Sequence, residues 1–516
     1  MTTTVAAEGR SGAPASGQRT GSEATPPPGG AGFDPSSPAT VVCRRRWRPV
    51  LRGGLPRTVP SRLRLLRAVV LVTAAGLVGV LVTGGVSASG SWADIRERSA
   101  PQVTSATGLY FTLNDMDAQL ANQLMMGDTA SLSSLRAQAA DIYGQRRGQA
   151  GGYLRDLAEA AKGDAAAERT VASAISDLGA YEEHAVRALV LGEQSHRPAG
   201  QADPKAVAEY TLATQLMRTR LLPEADRLVT TNNAAFEHTY ADATGTQSAI
   251  RVALLVTGLL MLALLAALQL YLAARFHRVI NPGAAAATVL VLTVLVSGFV
   301  QISGQQDHLR AARRDAFDSV VALTRARAVS YDANADESRY LLDRAGTTAH
   351  EQDFLAKSQR LLHLDGATIG TYDTDLASAL RAYKADHARL DFTGFFGDEF
   401  RNITFPGERA AAERVLTAYQ VYQRDDRRIR ALASAGKVAE AIEYCTSHTT
   451  GDSNYAFDAY DKALLKLITI NTTAFDRTSS DGAGNALTMP VGLAGGVMAA
   501  AGLMLIGLRP RLAEFR

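Results

Sequence analysis

Two short stretches carry the residue types that could bind a small polar ligand. Asn114, Asp115 and Asp117 stand in one; Asp332, Asn334, Asp336 and Glu337 stand in the other. Arg339 follows Asp336 by three residues, and a guanidinium is the group that grips a carboxylate through two parallel hydrogen bonds. A ligand site built from Asp115, Asp117, Asn334, Asp336 and Arg339 is one expectation. A solvated helix face is the other.

A second concentration is aromatic. Phe392, Phe395, Phe396, Phe400 and Phe405 are five of the chain's fifteen phenylalanines. Gly394, Gly397 and the Pro406-Gly407 pair break the segment into a loop or a short helix. At the membrane-distal end of a helical bundle these rings would either dock a partner, since aromatics are enriched in interface cores, or fold back as a cap. A third set is repeated. Leu228-Val-Thr-Thr-Asn-Asn-Ala-Ala-Phe-Glu-His-Thr239 and Leu467-Ile-Thr-Ile-Asn-Thr-Thr-Ala-Phe-Asp-Arg-Thr478 match at six of twelve positions. Asn232 and Phe236 in the first, Asn471 and Phe475 in the second, are four residues apart and so share a helix face.

Catalytic patterns are missing. The nine histidines show no metal-ligand spacing, and no nucleophile elbow, P-loop or dinucleotide-binding glycine motif is present. Two cysteines, Cys43 and Cys445, are too few for a disulfide framework or a zinc cluster. The expectation is a non-enzyme without metal or cofactor. Cys445 would either link two chains or lie buried.

The elements that must position these residues start with the membrane. Four uncharged apolar runs, 68–88, 252–274, 284–303 and 486–508, are each long enough to cross a hydrocarbon core about 30 Å thick as a helix, the second within a span of 251–274. Nine arginines and no acidic residue lie between Arg44 and Arg67. The 275–283 linker and the 509–516 tail are also basic, so the positive-inside rule puts all three in the cytoplasm. The large segments 89–250 and 304–485 then lie outside, with fourteen basic against twenty acidic residues in the first and twenty-three against twenty-seven in the second. The expected location is the cell membrane, multi-pass, with both termini cytoplasmic. The net charge of +3 is a difference between two faces, and the arginine cluster suits anionic lipid, with no nucleic-acid role needed. Residues 1–67 form the basic N-terminal segment, of which 1–42 are too poor in large apolar side chains to bury a core.

Each outer segment reads as helix. Leu109, Leu113, Met116, Leu120 and Leu124 make one apolar stripe, and Asp203 before Pro204 fits a helix start. The expected fold is all-α: four transmembrane helices and two outer antiparallel four-helix bundles in tandem repeat. Spacings such as Gly492–Gly496 and Ala75–Gly79 fit close helix packing and a homo-oligomer.

The unit of basic N-terminus, span, long helical segment and span resembles the sensor half of bacterial chemoreceptors, and Arg275-Phe-His-Arg-Val-Ile-Asn-Pro282 resembles the start of their linker. The doubled layout and the Phe395-Phe-Gly-Asp-Glu-Phe-Arg-Asn-Ile-Thr-Phe-Pro-Gly-Glu408 stretch resemble the GlnX membrane proteins of actinobacteria. That resemblance implies a relay from an extracellular amino-acid-binding lipoprotein to a soluble Ser/Thr kinase. It assigns no site residue. A passive envelope scaffold is the alternative function.

Overall fold

The computed structural model describes residues 59–276 and 281–513; the expectations for residues 1–58, 277–280 and 514–516 lie outside them. Fifteen α-helices occur among the described residues, with no strand. The fold is that of an all-α membrane protein.

Four of the helical rods are long and apolar enough to cross a membrane, and each runs on into the polar body. They span Ser61–Met126, Pro204–Ala274, Pro282–Leu342 and Ser453–Pro510, 66, 71, 61 and 58 residues long. At 1.5 Å per residue the first is about 100 Å from end to end, far longer than a membrane requires. The first rod joins α1 (Val59–Asp94) to α2 (Ala100–Met126) through a π-helical turn at Ile95–Ser99. The second joins α5 (Pro204–Leu216) to α6 (Leu222–Phe276) through another at Met217–Leu221. The third joins α7 (Pro282–Arg310) to α8 (Asp318–Leu342) through Ala311–Phe317. The fourth is α14 (Ser453–Ala486) and α15 (Thr488–Ala513), which meet at Leu487.

In the first half, α3 (Ser133–Ala160) and α4 (Ala165–Ser195) complete a four-helix body with the two rods. Asp164 caps α4 and Asp203 caps α5, as the Asp-Pro pair predicts. The second half departs from the expected bundle. Between its rods lie α9 (Thr347–Leu361), α10 (Tyr372–Ala385), α11 (Gly394–Asn402), α12 (Glu408–Ser434) and α13 (Val438–Thr446). Gly366, Gly394 and Gly407, all with positive φ, allow the chain to reverse between the shorter pieces. The two halves share one core. Leu341, Leu342, Ile429, Ile442 and Cys445 of the second pack with Leu109, Met116, Leu120 and Tyr210 of the first.

In the membrane α1, α6, α7 and α15 close a four-helix ring around Leu77, Leu254, Met261, Val291, Val497 and Met504. Gly283 and Gly507 bring α7 and α15 into backbone contact: a Cβ on Gly283 would stand 2.9 Å from the Gly507 Cα. Asn281 caps α7 and donates to the Gly507 carbonyl at 2.9 Å. The glycines expected to pack helices divide. Gly84, Gly85 and Gly496 touch neighbours, whereas Gly76, Gly79 and Gly492 have open space where a Cβ would be. At the membrane edge the Trp92 indole donates to Gln305 at 2.7 Å, and Gln305 donates to the Gly482 carbonyl at 3.0 Å, tying three rods. A Cβ on Gly482 would stand 2.2 Å from the Trp92 ring, so only glycine fits.

Orientation is checked by thiol labelling. In a background with Cys43 and Cys445 replaced by alanine, cysteines at the exposed Ser133 and Thr374 should react with a membrane-impermeant reagent in intact cells, and one at Ser37 should not. The reverse pattern would put both polar segments in the cytoplasm.

Candidate functional site

Helices α2 and α8 lie side by side where the halves meet, and the polar residues singled out in the sequence line that seam. Arg339 is 1% exposed. Its guanidinium donates to Asp117 of the first half at 2.5 Å, to Asp332 at 3.1 Å, to the Tyr210 hydroxyl at 2.9 Å and to Asp336. Lys357, on α9, binds Asp336 at 2.5 Å and Asp332 at 2.8 Å. Arg218, in the π turn of the second rod, pairs with Asp353 at 2.7 Å and stands 3.8 Å from Asp336. Thr214 donates to Asp117 at 3.0 Å. Asp117, Asp332 and Asp336 thus face Arg218, Arg339 and Lys357, with Asp353 a fourth acid on Arg218. Burial disfavours the Asp332 carboxylate, but Lys357 and Arg339 beside it hold it well below the usual range. Burial raises the Tyr210 and Tyr181 phenols, and Tyr181 donates to Asp117 at 3.4 Å while Tyr210 accepts from Arg339.

This corrects the expected use of Arg339. Its donors are consumed by carboxylates of this chain, so it clamps α2 to α8 and leaves nothing for a ligand. Asp115 and Asn334 are placed differently. They line a cleft of about 180 Å³ between the halves, with Gln119 and Asn122 of α2, Arg146 of α3 and Asn454 of α14. Asp115 is fully buried and accepts from Arg146 at 2.6 Å and from Gln119 at 2.9 Å. Its aromatic lining is Tyr331 and Phe457, edge-to-face at 5.0 Å; beyond it Phe111 meets Tyr331 at 5.1 Å, and Arg327 stacks on Phe111 at 4.1 Å while gripping Asp461 at 2.6 and 2.9 Å. Behind Asn334 lie two buried carboxyls, Glu337 and Asp426. Asn334 donates to Glu337 at 3.1 Å, and Arg430 holds Asp426 at 2.8 and 2.9 Å. Burial and the neighbouring Asp426 push Glu337 well above the ordinary glutamate range.

The repeated Asn and Phe positions come together only in part. Phe236 and Phe475 both pack on Phe317 of the third rod's π turn, at 4.9 and 5.0 Å. Arg313 covers Phe236 at 4.8 Å and donates to Asn233 at 3.1 Å. Asn232 is half-buried and bonds its own helix at Leu228, whereas Asn471 is fully buried and reaches Glu399 at 3.4 Å. Both thus donate to the carbonyl four residues back, Asn471 to Leu467 at 3.4 Å, and only Asn471 adds a partner on another helix.

The phenylalanine-rich insertion is also relocated. Asn402 donates to the carbonyls of Arg314 and Asp315 at 3.1 Å, which places α11 beside the third rod's π turn, at the membrane-proximal shoulder of the second half and not at its distal end. Phe392, Phe396 and Phe400 are buried in a core with Tyr383, Tyr419 and Tyr460. Three of the five rings offer no docking face, because the core has taken them; Phe395 and Phe405 are half-buried. Next to them Glu399 and Glu408 are buried together, and burial followed by the Glu408 charge raises Glu399 to about 8.

Among the described residues Asp336, His350 and Asp353 have ligand atoms within 4.8 Å of one another. Arg339, Lys357 and Arg218 already supply the positive charge there, so the geometry favours ion pairs over a metal. Lys357, Arg218 and the two carboxyl pairs escaped sequence reasoning. Their one local signal was Glu337 between Asp336 and Arg339. Cys445 is buried, and burial raises its thiol.

A family profile described as an actinobacterial sensor domain matches residues 91–241, the polar segment of the first half. It supports a sensor-type actinobacterial protein with a non-catalytic sensing role. No curated protein and no solved structure matches the chain.

Two outcomes follow. Asp117→Ala leaves Arg339 short of a buried counter-charge and should cost about 3–5 kcal/mol, read as a lowered Tm of the purified protein; adding Arg339→Met should cost less than the sum of the two changes. The second concerns protons. A carboxyl raised in the fold keeps its proton where the unfolded chain has lost it, so folding stability falls as pH rises from about 4.5 to about 8. Glu399→Gln should flatten that slope by at most about 1.4 kcal/mol per pH unit, measured by denaturant titrations across the window.

Proposed function

We propose that the chain is a transmembrane relay that carries an extracellular nutrient signal, of the amino-acid class, to a cytoplasmic partner. The observation that carries this reading is mechanical. Every span continues as helix into the polar body, so a displacement at the α2–α8 seam is applied directly to α1 and α7. The sensor-domain match over 91–241 supports the outer segment as the receiving part. The basic N-terminal segment, 275–283 linker and tail support a reading in which all three face the cytoplasm, by the positive-inside rule. On this reading the output is taken up by a separate protein. The partners that fit are an extracytoplasmic solute-binding lipoprotein on the body and a cytoplasmic Ser/Thr kinase on the basic N-terminal segment and linker.

A relay needs an element with two arrangements that the signal biases. The seam between the halves supplies one, since small shifts of α2 against α8 re-partner the charges around Arg339. Two measurements check the reading. Crosslinking in intact cells should capture a solute-binding protein through the outer body and a kinase through the inner face; recovery of cell-wall synthesis proteins alone would favour a scaffold. Deleting residues 2–40 while keeping the arginine cluster should preserve insertion and blunt the downstream phosphorylation response. An undiminished response would move the output to the linker and juxtamembrane arginines.

A further inference from the structure

We infer that the cleft between the halves is itself a binding site for a small zwitterionic solute, one that carries an anionic and a cationic group a few bonds apart together with a polar side chain. This deepens the sensing reading, which supplies its consequence; the binding itself is read directly.

The size sets the scale. An apolar cavity of about 150 Å³ holds benzene, so a cleft of about 180 Å³ suits a solute of comparable heavy-atom count. The chemistry narrows the class. One wall presents the Asp115 carboxylate and the Arg146 guanidinium, 2.6 Å apart and therefore both within reach of one small molecule. Asp115 is 0% exposed as a residue and already accepts from Arg146 and Gln119, so a solute would join a formed ion pair at the edge of the cleft. The rest of the polar lining is largely amide, with a second acid, Asp458, paired to His448 at 2.9 Å, and Tyr331 and Phe457 give the cleft an apolar side. Gln119 gives its Nε2 hydrogens to Asp115, which leaves its carbonyl oxygen as an acceptor. Asn122 accepts from Ser338 at 2.6 Å, which leaves its amide hydrogens as donors. Asn454 faces them from α14. Acceptors and donors alternate around a charge pair, a pattern that matches a solute bearing both signs and mismatches a purely apolar or a purely anionic one.

The position gives binding a mechanical effect. Gln119 and Asn122 sit on the first rod, Asn454 on the fourth, and Asn334 on the third. A solute that bonds all of them is shared by three rods and favours the arrangement in which they are closest. The Asp117–Arg339 clamp lies on the same seam, two residues along α2 from Asp115, so the cleft closes against a fixed point.

The test uses the full chain in lipid nanodiscs and isothermal titration calorimetry. The probes are L-asparagine, L-serine and glycine betaine as zwitterions, with acetamide, acetate and glycerol as controls. Saturable binding of at least one zwitterion, with none of the controls, is expected. Gln119→Leu and Asn454→Leu should each weaken that binding by about ten-fold or more, the loss of one buried hydrogen-bond partner, while the Tm of the unliganded protein stays near that of the parent. A parallel reading of Asn454→Gln, which keeps the amide, should retain binding and separates lost chemistry from lost folding. Absence of binding by all three zwitterions overturns the inference, as does binding that survives both leucine variants unchanged. Either result leaves the relay untouched, because its partners are read by crosslinking. A cleft that binds while no partner is captured would instead remove the relay.

Discussion

Everything between the halves is organised by the need to neutralise one buried guanidinium. Arg339 has no route to water, and an unpaired charge in that setting is far more costly than any single contact is stabilising. Asp117 lies 222 residues earlier in the chain, on the other half. The halves therefore cannot slide or part without stranding a charge on each side. Asp332 and Asp336 would then leave the site negative, and Lys357 and Arg218 restore the balance. Such clusters add little net stability over an apolar core. What this one fixes is register: it sets which turn of α2 faces which turn of α8, and the aromatic contact of Phe111 with Tyr331 follows from that setting.

Register at the seam matters because the rods are continuous. A helix transmits a push or a rotation through its own hydrogen bonds, and three rods are interrupted only by a π turn. Such turns carry one extra residue in the ladder and mark places where helices change register. Those in the first and third rods begin 27 residues after Ala68 and Ala284, the starts of their apolar runs, at the edge of the membrane. There the rods are bound laterally, by Trp92 to Gln305 and Gly482 and by Phe317 between Phe236 and Phe475. These contacts tie the four rods to one another at the membrane edge.

The spans were legible because an uncharged apolar run of that length has one stable solution in lipid, and the heptad-like stripe of Leu109 to Leu124 was legible because core-facing residues repeat with the helix period. The site was legible as a composition and illegible as an arrangement. Asp115, Asp117, Asn334, Asp336 and Arg339 do meet at one seam, but only three-dimensional pairing shows that Arg339 is spent on Asp117 while Asp115 faces a cleft. Lys357 was not singled out, because its spacing on α9 carries no sign of the carboxylates it meets. The phenylalanines were misplaced for a similar reason. Gly394 and Gly407 signal turns, yet nothing local says toward which end of the body those turns lead, and Asn402 supplies the answer through contacts 87 and 88 residues away.

The halves have different physical characters, and the difference bears on which one listens. In the first, α3 and α4 run 28 and 31 residues and form a regular bundle, the part that the sensor-domain profile recognises. In the second, the same space is filled by five helices, three of them shorter than sixteen residues before α12. Its core holds two carboxyl pairs, Glu337 with Asp426 and Glu399 with Glu408, in which burial and like charge make a proton part of the structure. A regular bundle of long helices moves as a body. A mosaic of short helices around protonated carboxyls yields locally, because each short piece has few backbone hydrogen bonds to lose and each carboxyl pair has an alternative charge state. The first half is thus suited to deliver a displacement, and the second to absorb it at the α8 side of the seam. The third rod, which carries Arg339 at its far end and Phe317 above the membrane, is the element through which that asymmetry reaches the spans.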